Sequence, residues 1–244
     1  MVDSWHSPHL DRTVRVARWG DYGVPVLVFP TAGGDAEEIE RFDIVRACGQ
    51  LIEEGRVKVY SCDSINGRAM LANEGDSLHR SWILRRFCEF VGNELVPAIR
   101  TDCHTDDIEV ITAGASIGAF NALAAVCRFP EVFRHAICMS GTFDLTRFMN
   151  GPVNDNYLWA SPIHFLSAPD HEHTSPEQLA QLRERSVIFA CGEGANEDIG
   201  ESWHAAHILG NAGVPNQVDK WGPEWPHDWP TWRTMLPHYL ARVA

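Results

Sequence analysis

Gly114-Ala115-Ser116-Ile117-Gly118 is the stretch of this chain with the clearest capacity for chemistry. A serine hydroxyl is a weak nucleophile at neutral pH. It reacts when a turn exposes it to substrate and a neighbouring base takes its proton. An apolar run, Ile108–Thr112, precedes the stretch, and an Ala-rich run with helical spacing, Ile117–Phe129, follows it. Strand, tight turn and helix in that order are the setting in which a G-x-S-x-G serine stands above a sheet. Glycines on either side let strand and helix pass closely, and the helix N-terminus aims its N–H groups at the serine. A Gly-rich turn with a bystander serine is the competing reading, and the flanking elements favour the nucleophile.

A base is expected in the loop after the last strand. Asn216–Trp221 reads as that strand, and Gly222-Pro223-Glu224-Trp225-Pro226-His227-Asp228-Trp229 follows it. His227 lies there, ahead of a final helix over Thr231–Val243, and a loop imidazole can swing to the serine and carry its proton. His238, inside that helix, is the weaker choice. An acid that orients the imidazole is expected after the preceding strand, Ser186–Ala190, where Glu193, Glu197 and Asp198 compete. Asp144, beyond a strand ending near Ser140, is a fourth candidate. Asp198 directly precedes a helix and could serve as its N-cap instead. Position alone leaves these four open. The oxyanion of acyl transfer needs two backbone donors. One is the N–H of Ile117. The other is expected from Pro30-Thr31-Ala32-Gly33-Gly34, the loop that follows the apolar run Pro25–Phe29.

The elements that must hold these residues alternate along the chain. Strand patterns fall at Thr13–Trp19, Pro25–Phe29, Val57–Cys62, Asp107–Thr112, His135–Met139, Ser186–Ala190 and Asn216–Trp221. Helical spacing covers Ala36–Glu54, Leu78–Ile99, Ile117–Phe129, Ile199–Gly213 and Thr231–Val243. On Leu78–Ile99, Trp82, Phe87, Phe90 and Leu95 are candidates for the inner face. Alternation of this kind predicts an α/β fold, a mostly parallel sheet with helices on both faces. Right-handed crossovers then bring every strand's C-terminal end to one edge, where sites form.

Composition narrows the remaining classes. With 244 residues, 45% hydrophobic and 22% charged, the chain reads as a single globular domain. A net charge of −13 without a basic run argues against nucleic acid and anionic membranes as partners. No apolar stretch approaches the roughly 18 residues of a membrane span, and Met1–Arg12 lacks the apolar core of a secretory signal. Seven cysteines, none at C-x-x-C spacing, read as buried thiols and point to the cytoplasm. His171 and His173, and the pair His204 and His207, read as solvated surface residues, so no metal and no cofactor are expected. The acidic run Asp35 to Glu40 reads as a helix N-terminus favouring negative charge. Residues 148–175 are the least regular segment, where a cap could sit over the site. Trp159, Trp225 and Trp229 are candidates to line a pocket or to pack as core.

The residues together resemble the esterase D/mycolyltransferase group of α/β-hydrolases, which includes S-formylglutathione hydrolases and some feruloyl esterases. The resemblance runs from about Val24 to the C-terminus. It rests on Gly114-Ala115-Ser116-Ile117-Gly118-Ala119-Phe120-Asn121-Ala122, on Phe129-Pro130-Glu131-Val132-Phe133 followed by Cys138-Met139-Ser140-Gly141, and on His227-Asp228-Trp229 with Trp232. Gly192-Glu193-Gly194-Ala195-Asn196-Glu197 is similar to the segment that carries the acid in mycolyltransferases, which implies Glu197. The second oxyanion donor maps to Ala32. Thr31-Ala32-Gly33-Gly34 stands where lipases carry His-Gly-Gly-Gly, and a mycolyl substrate is not implied.

The expectation is therefore an α/β-hydrolase fold over residues 1–244, acting on a small-molecule carboxylic ester. Ser116 is the nucleophile, His227 the base, Glu197 its orienting acid, and Ile117 and Ala32 the oxyanion donors. Transfer of the acyl group to an alcohol or amine, and a non-catalytic binding protein on the same scaffold, are the alternatives. A homo-oligomer is compatible with all three.

Overall fold

In the computed structural model, residues 1–168 and 173–244 are described. Eight strands form one sheet in the order β1-β2-β4-β3-β5-β6-β7-β8. They are β1 (Val2–Ser7), β2 (Arg12–Trp19), β3 (Val24–Phe29), β4 (Val57–Cys62), β5 (Val110–Ala115), β6 (Phe133–Met139), β7 (Ser186–Cys191) and β8 (Asn216–Lys220). From β4 to β8 every pairing is parallel, while β2 runs antiparallel to both β1 and β4. The architecture is that of the α/β-hydrolase fold.

The helices are α1 (Glu38–Arg41), α2 (Ile44–Ala47), α3 (Gly49–Glu53), α4 (Ile65–Leu71), α5 (Ser77–Phe90), α6 (Val96–Asp102), α7 (Ile117–Arg128), α8 (Asp155–Ala160), α9 (Pro162–Phe165), α10 (Pro176–Leu182), α11 (Ile199–Asn211) and α12 (Trp229–Val243). Strand periodicity divides the core between the two faces of the sheet. Val26 and Val28 of β3 join Ile111, Ile137, Ile188 and the α12 residues Leu236 and Leu240. Leu27 and Phe29 face the other way, toward Phe87, Leu123, Phe189 and Leu209. Both faces of the central strands are covered, which is why Pro25–Phe29 reads as a continuous apolar run instead of an alternating one.

Several elements differ from their sequence expectation. Ala36–Glu54 forms three short helices: the first break falls at Asp43, whose left-handed φ of 61° stops the hydrogen-bond ladder, and the second at Cys48. Phe42, just before this break, stacks on Trp229 with ring centroids 4.3 Å apart. Leu78–Ile99 lies within a continuous helical run from α5 to α6, interrupted by one π turn at Val91–Leu95. Trp82 lies on the outside of α5, 36% exposed, whereas Phe87, Phe90 and Leu95 are buried. Strand β5 begins at Val110 and extends through Ala115, because parallel pairing with β6 continues to Ala115 opposite Met139. The N-terminal strand β1 was not expected from a polar segment. It pairs along its whole length with β2, and Trp5 and Ser7 both donate to the Glu94 carboxylate. All seven cysteines are free thiols, and only Cys103 is not fully buried.

Candidate active site

Ser116 sits between β5 and α7 with φ 56° and ψ −122°. A non-glycine residue in this region costs on the order of 1–3 kcal/mol and persists only where its surroundings hold it. Here the Ser116 N–H donates to Met139 O at 3.1 Å, and Ser116 O accepts from Ala119 N at 3.1 Å and Thr142 N at 3.3 Å. The flanking glycines are required by contact. A Cβ on Gly114 would lie 2.8 Å from Gly118 Cα, and one on Gly118 would lie 2.5 Å from Phe29 O. Strand, helix and the loop after β3 therefore meet backbone to backbone around the serine.

That loop is fixed from two sides. The Glu38 carboxylate accepts the Thr31 N–H at 2.7 Å and the Thr31 hydroxyl at 2.8 Å. Glu38 is buried, and burial raises its pKa despite these two bonds. On the other side α4 packs against Ala32 so closely that a Cβ on Gly67 would lie 2.8 Å from Ala32 Cα. Among the described residues the N–H groups of Ala32 and Ile117 have no hydrogen-bond partner. Both are free to receive a negatively charged oxygen.

His227 lies in the loop between β8 and α12, its N–H donating to Ala195 O at 3.0 Å. Its Nδ1 is 3.2 Å from Glu197 Oε2, and its ring meets Trp232 edge to face at 5.1 Å. The Glu197 side chain is only 1% exposed. It accepts the Ser140 hydroxyl on Oε1 at 2.6 Å and the Cys191 thiol on Oε2 at 3.5 Å. Burial pushes its pKa up, but hydrogen bonds from His227 and Ser140 outweigh this and hold it below its ordinary value. Charge on Glu197 in turn pushes the Cys191 thiol up, adding to the effect of burial. Glu197 therefore carries the negative charge and Cys191 stays protonated.

Of the four carboxylates, Glu197 is the one that meets His227. Glu193 pairs with Lys220 at 3.1 Å. Asp198 caps α11, accepting the Gly200 N–H at 3.0 Å. Asp144 accepts the Thr146 N–H and hydroxyl. His238 packs against Trp221 and Tyr239. Ser116, Glu197 and His227 share the C-terminal edge of the sheet. The Ser116 hydroxyl has no hydrogen-bond partner among the described residues.

A cavity of about 60 Å³ adjoins Ser116, lined by Ala32, Met70, Leu71, Ile117, Thr142, Leu145 and Phe148. None of the three candidate tryptophans lines it. Trp159 lies beneath the Arg85 and Arg128 guanidinium groups, Trp225 packs on Trp221, and Trp229 is sandwiched with Phe42 and Trp232. Phe148 is the part of the irregular 148–175 segment that reaches this cavity. His171 lies outside the described residues. Among those described, no three His, Cys, Asp or Glu side chains gather as metal ligands would, and no helix is long and apolar enough to cross a membrane.

Ser140, Glu38 and Gly67 contact the candidate site residues, and sequence reasoning missed them. Ser140 has φ 45° and directly follows a strand, a weak signal that only a neighbouring acid makes meaningful. Glu38 stood within an acidic run that reads equally well as a helix N-terminus.

Fold and site together define a member of the α/β-hydrolases. The chain belongs to the family described as "Putative esterase", which matches residues 52–243, and ester hydrolysis is its reaction class. No curated protein matches it in sequence. Among solved structures it is similar to a ferulic acid esterase, at 15% identity and TM-score 0.72, covering 100% of this chain and 98% of that one. It is similar to an S-formylglutathione hydrolase from Agrobacterium tumefaciens, at 12% identity and TM-score 0.70, covering 99% and 92%. MPT51 of Mycobacterium tuberculosis aligns at 16% identity and TM-score 0.69, covering 99% and 97%. At such identities the likeness speaks for the fold.

Proposed function

We propose that Ser116, His227 and Glu197 form a triad that hydrolyses a carboxylic ester through an acyl-enzyme. The observation that carries this reading is the buried, ionised Glu197 held against His227 Nδ1 on the sheet edge that presents Ser116. With Nδ1–H directed at Glu197, Nε2 is the nitrogen left to accept a proton. Ser116 Oγ attacks the acyl carbon as its proton passes to His227 Nε2. The carbonyl oxygen takes up negative charge, and the N–H groups of Ile117 and Ala32 receive it. Collapse of this intermediate breaks the bond to the alcohol oxygen, which leaves with the proton from His227. Water then repeats the sequence on the acyl-enzyme, giving up one proton to His227 and releasing the acid.

Turnover of a simple aryl ester by the wild type and by Ser116→Ala tests the reading, with folding checked by circular dichroism. Loss of turnover in a folded variant is expected, together with loss of labelling by a phosphonate probe. Unchanged turnover in Ser116→Ala would overturn it. A wild type that neither turns over ester nor takes the label would favour a binding protein on this scaffold.

A further inference from the structure

We propose that two buried asparagines, Asn66 and Asn121, are positioning residues that fix the separation of the oxyanion donors Ala32 and Ile117. The proposal rests on the reading of Ser116 as nucleophile. The two donors belong to different parts of the fold. Ile117 opens α7, and Ala32 lies in the loop after β3. The start of that loop is set against α7, since a Cβ on Gly118 would lie 2.8 Å from Pro30 O. Further on, the loop is held by α4 and the residues just before it. The Ser64 N–H donates to Gly34 O at 3.3 Å, the Asp63 carboxylate accepts the Ala36 N–H at 3.2 Å, and Gly67 lies against Ala32. The distance from Ala32 to Ile117 therefore depends on where α4 stands relative to α7.

Asn66, beside Gly67 on α4, donates from Nδ2 to Asn121 Oδ1 at 2.7 Å. Asn121, one turn along α7 from Ile117, returns a longer bond to Asn66 Oδ1 at 3.5 Å. Both side chains are buried. Among the described residues these are the only hydrogen bonds between the two helices. The rest of the contact is apolar, with Met70, Ile117 and Phe120 in one cluster that also touches Ala32. Hydrophobic attraction has no direction, so apolar surfaces alone let α4 slide along α7. A hydrogen bond weakens steeply outside a narrow range of distance and angle, and a buried amide left without its partner is costly. The pair thus gives α4 one seat on α7, and Ala32 is carried with it.

The experiment measures kcat and KM for p-nitrophenyl acetate, and Ki for a trifluoromethyl ketone, on wild type, Asn66→Ala, Asn121→Ala and the double variant. Ser116→Ala serves as the blank. Ser116 Oγ adds to the ketone carbon, its proton goes to His227, and the former carbonyl oxygen takes the negative charge that Ile117 and Ala32 would receive. Outright loss of a donor costs about 10²–10³-fold in kcat, so a displaced donor should cost about tenfold, with KM within about twofold of wild type. Ki for the ketone should rise by about the same factor as kcat falls, because both read the charged oxygen. The double variant should be no slower than the slower single one, since both changes break the same bonds. Asn66→Leu combined with Asn121→Leu leaves no polar group unpaired and keeps packing in place. It should fold and still lose about tenfold in kcat, which tests the pair where an alanine variant does not fold. Wild-type kcat and Ki in folded variants, with Ser116→Ala inactive, would overturn the positioning role alone. So would losses that multiply in the double variant. Ester turnover that survives in Ser116→Ala would instead overturn the triad.

Discussion

Ser140 and Glu197 emerge from neighbouring strands, and the Ser140 hydroxyl donates to Glu197 Oε1 at 2.6 Å while it accepts the Trp232 indole N–H at 2.9 Å. Because β5 and β6 pair with Ala115 opposite Met139, Ser140 also stands next to Ser116 on the sheet edge. One hydroxyl thus ties Glu197 to the strand beside Ser116 and to the helix that follows His227. Ser140→Ala should lower kcat about tenfold with KM little changed, and cost about 1 kcal/mol of stability through the lost hydrogen bonds. Steady-state kinetics and urea denaturation measure both. A change confined to stability would remove Ser140 from the positioning role.

The acid should be separable from its neighbours. Glu197→Gln keeps shape but not charge, and loss of the orienting carboxylate in a triad costs about 10⁴-fold in kcat. Glu193→Gln and Asp198→Asn, which touch Lys220 and the α11 N-terminus, should stay within about threefold of wild type, as surface changes usually do. Purified variants assayed on one aryl ester give the ranking, and a reversed order would move the acid's role elsewhere.

Glu38 and Gly67 hold the Ala32 loop from opposite sides. Glu38→Gln leaves one acceptor oxygen where the Thr31 N–H and hydroxyl now use two. Loosening an oxyanion donor costs up to about 10²–10³-fold in kcat when the donor is lost outright. A fall of about tenfold, mainly in kcat, is expected for Glu38→Gln, a partial loss of that kind. Gly67→Ala should act in the same direction by pushing on Ala32. A variant with normal kcat would show that the loop does not need these contacts.

Acid should destabilise the fold through carboxylates held below their ordinary values, Glu197, Glu94 and Asp102 among them. Glu197, Glu94 and Asp102 are all held below their ordinary values despite burial, Glu94 by bonds from Ser7, Trp5 and His9, and Asp102 by bonds from Lys58 and Tyr60. Each binds its proton more tightly in the unfolded chain. Their stabilisation is complete above the ordinary carboxylate range and disappears as pH falls through the folded values. Glu38 has the opposite sign: its raised value means that its contribution is lost as pH rises through that value. Urea midpoints measured from pH 7 down to about 3 should therefore decline below the ordinary carboxylate range. In Asp102→Asn the decline should be shallower, and an unchanged slope would remove Asp102 from the account.

Much of the site's scaffold could be read from residue types in order. The β5–Ser116–α7 unit announces itself because a strained strand-to-helix turn needs glycines where side chains would collide. The alternation of strands and helices follows from the period of the apolar residues. Less legible were elements whose local pattern is overruled. Met1–Arg12 is polar, and Val2–Ser7 within it becomes a strand by pairing with the edge that β2 offers. Ala36–Glu54 has helical spacing, and it breaks at Asp43, beside the Phe42 that stacks on Trp229.

The sequence by itself determined the class of fold, and offered a candidate serine and a short choice of candidate bases and acids, since these depend on local periodicity and on chain order. The tertiary structure decided what depends on side-chain reach. It put Glu197 rather than Glu193 or Asp198 against His227, and brought Ser140 and Glu38 to the candidate site. Distances between residues far apart in the chain follow from how strands register and helices pack, and no local pattern carries that information.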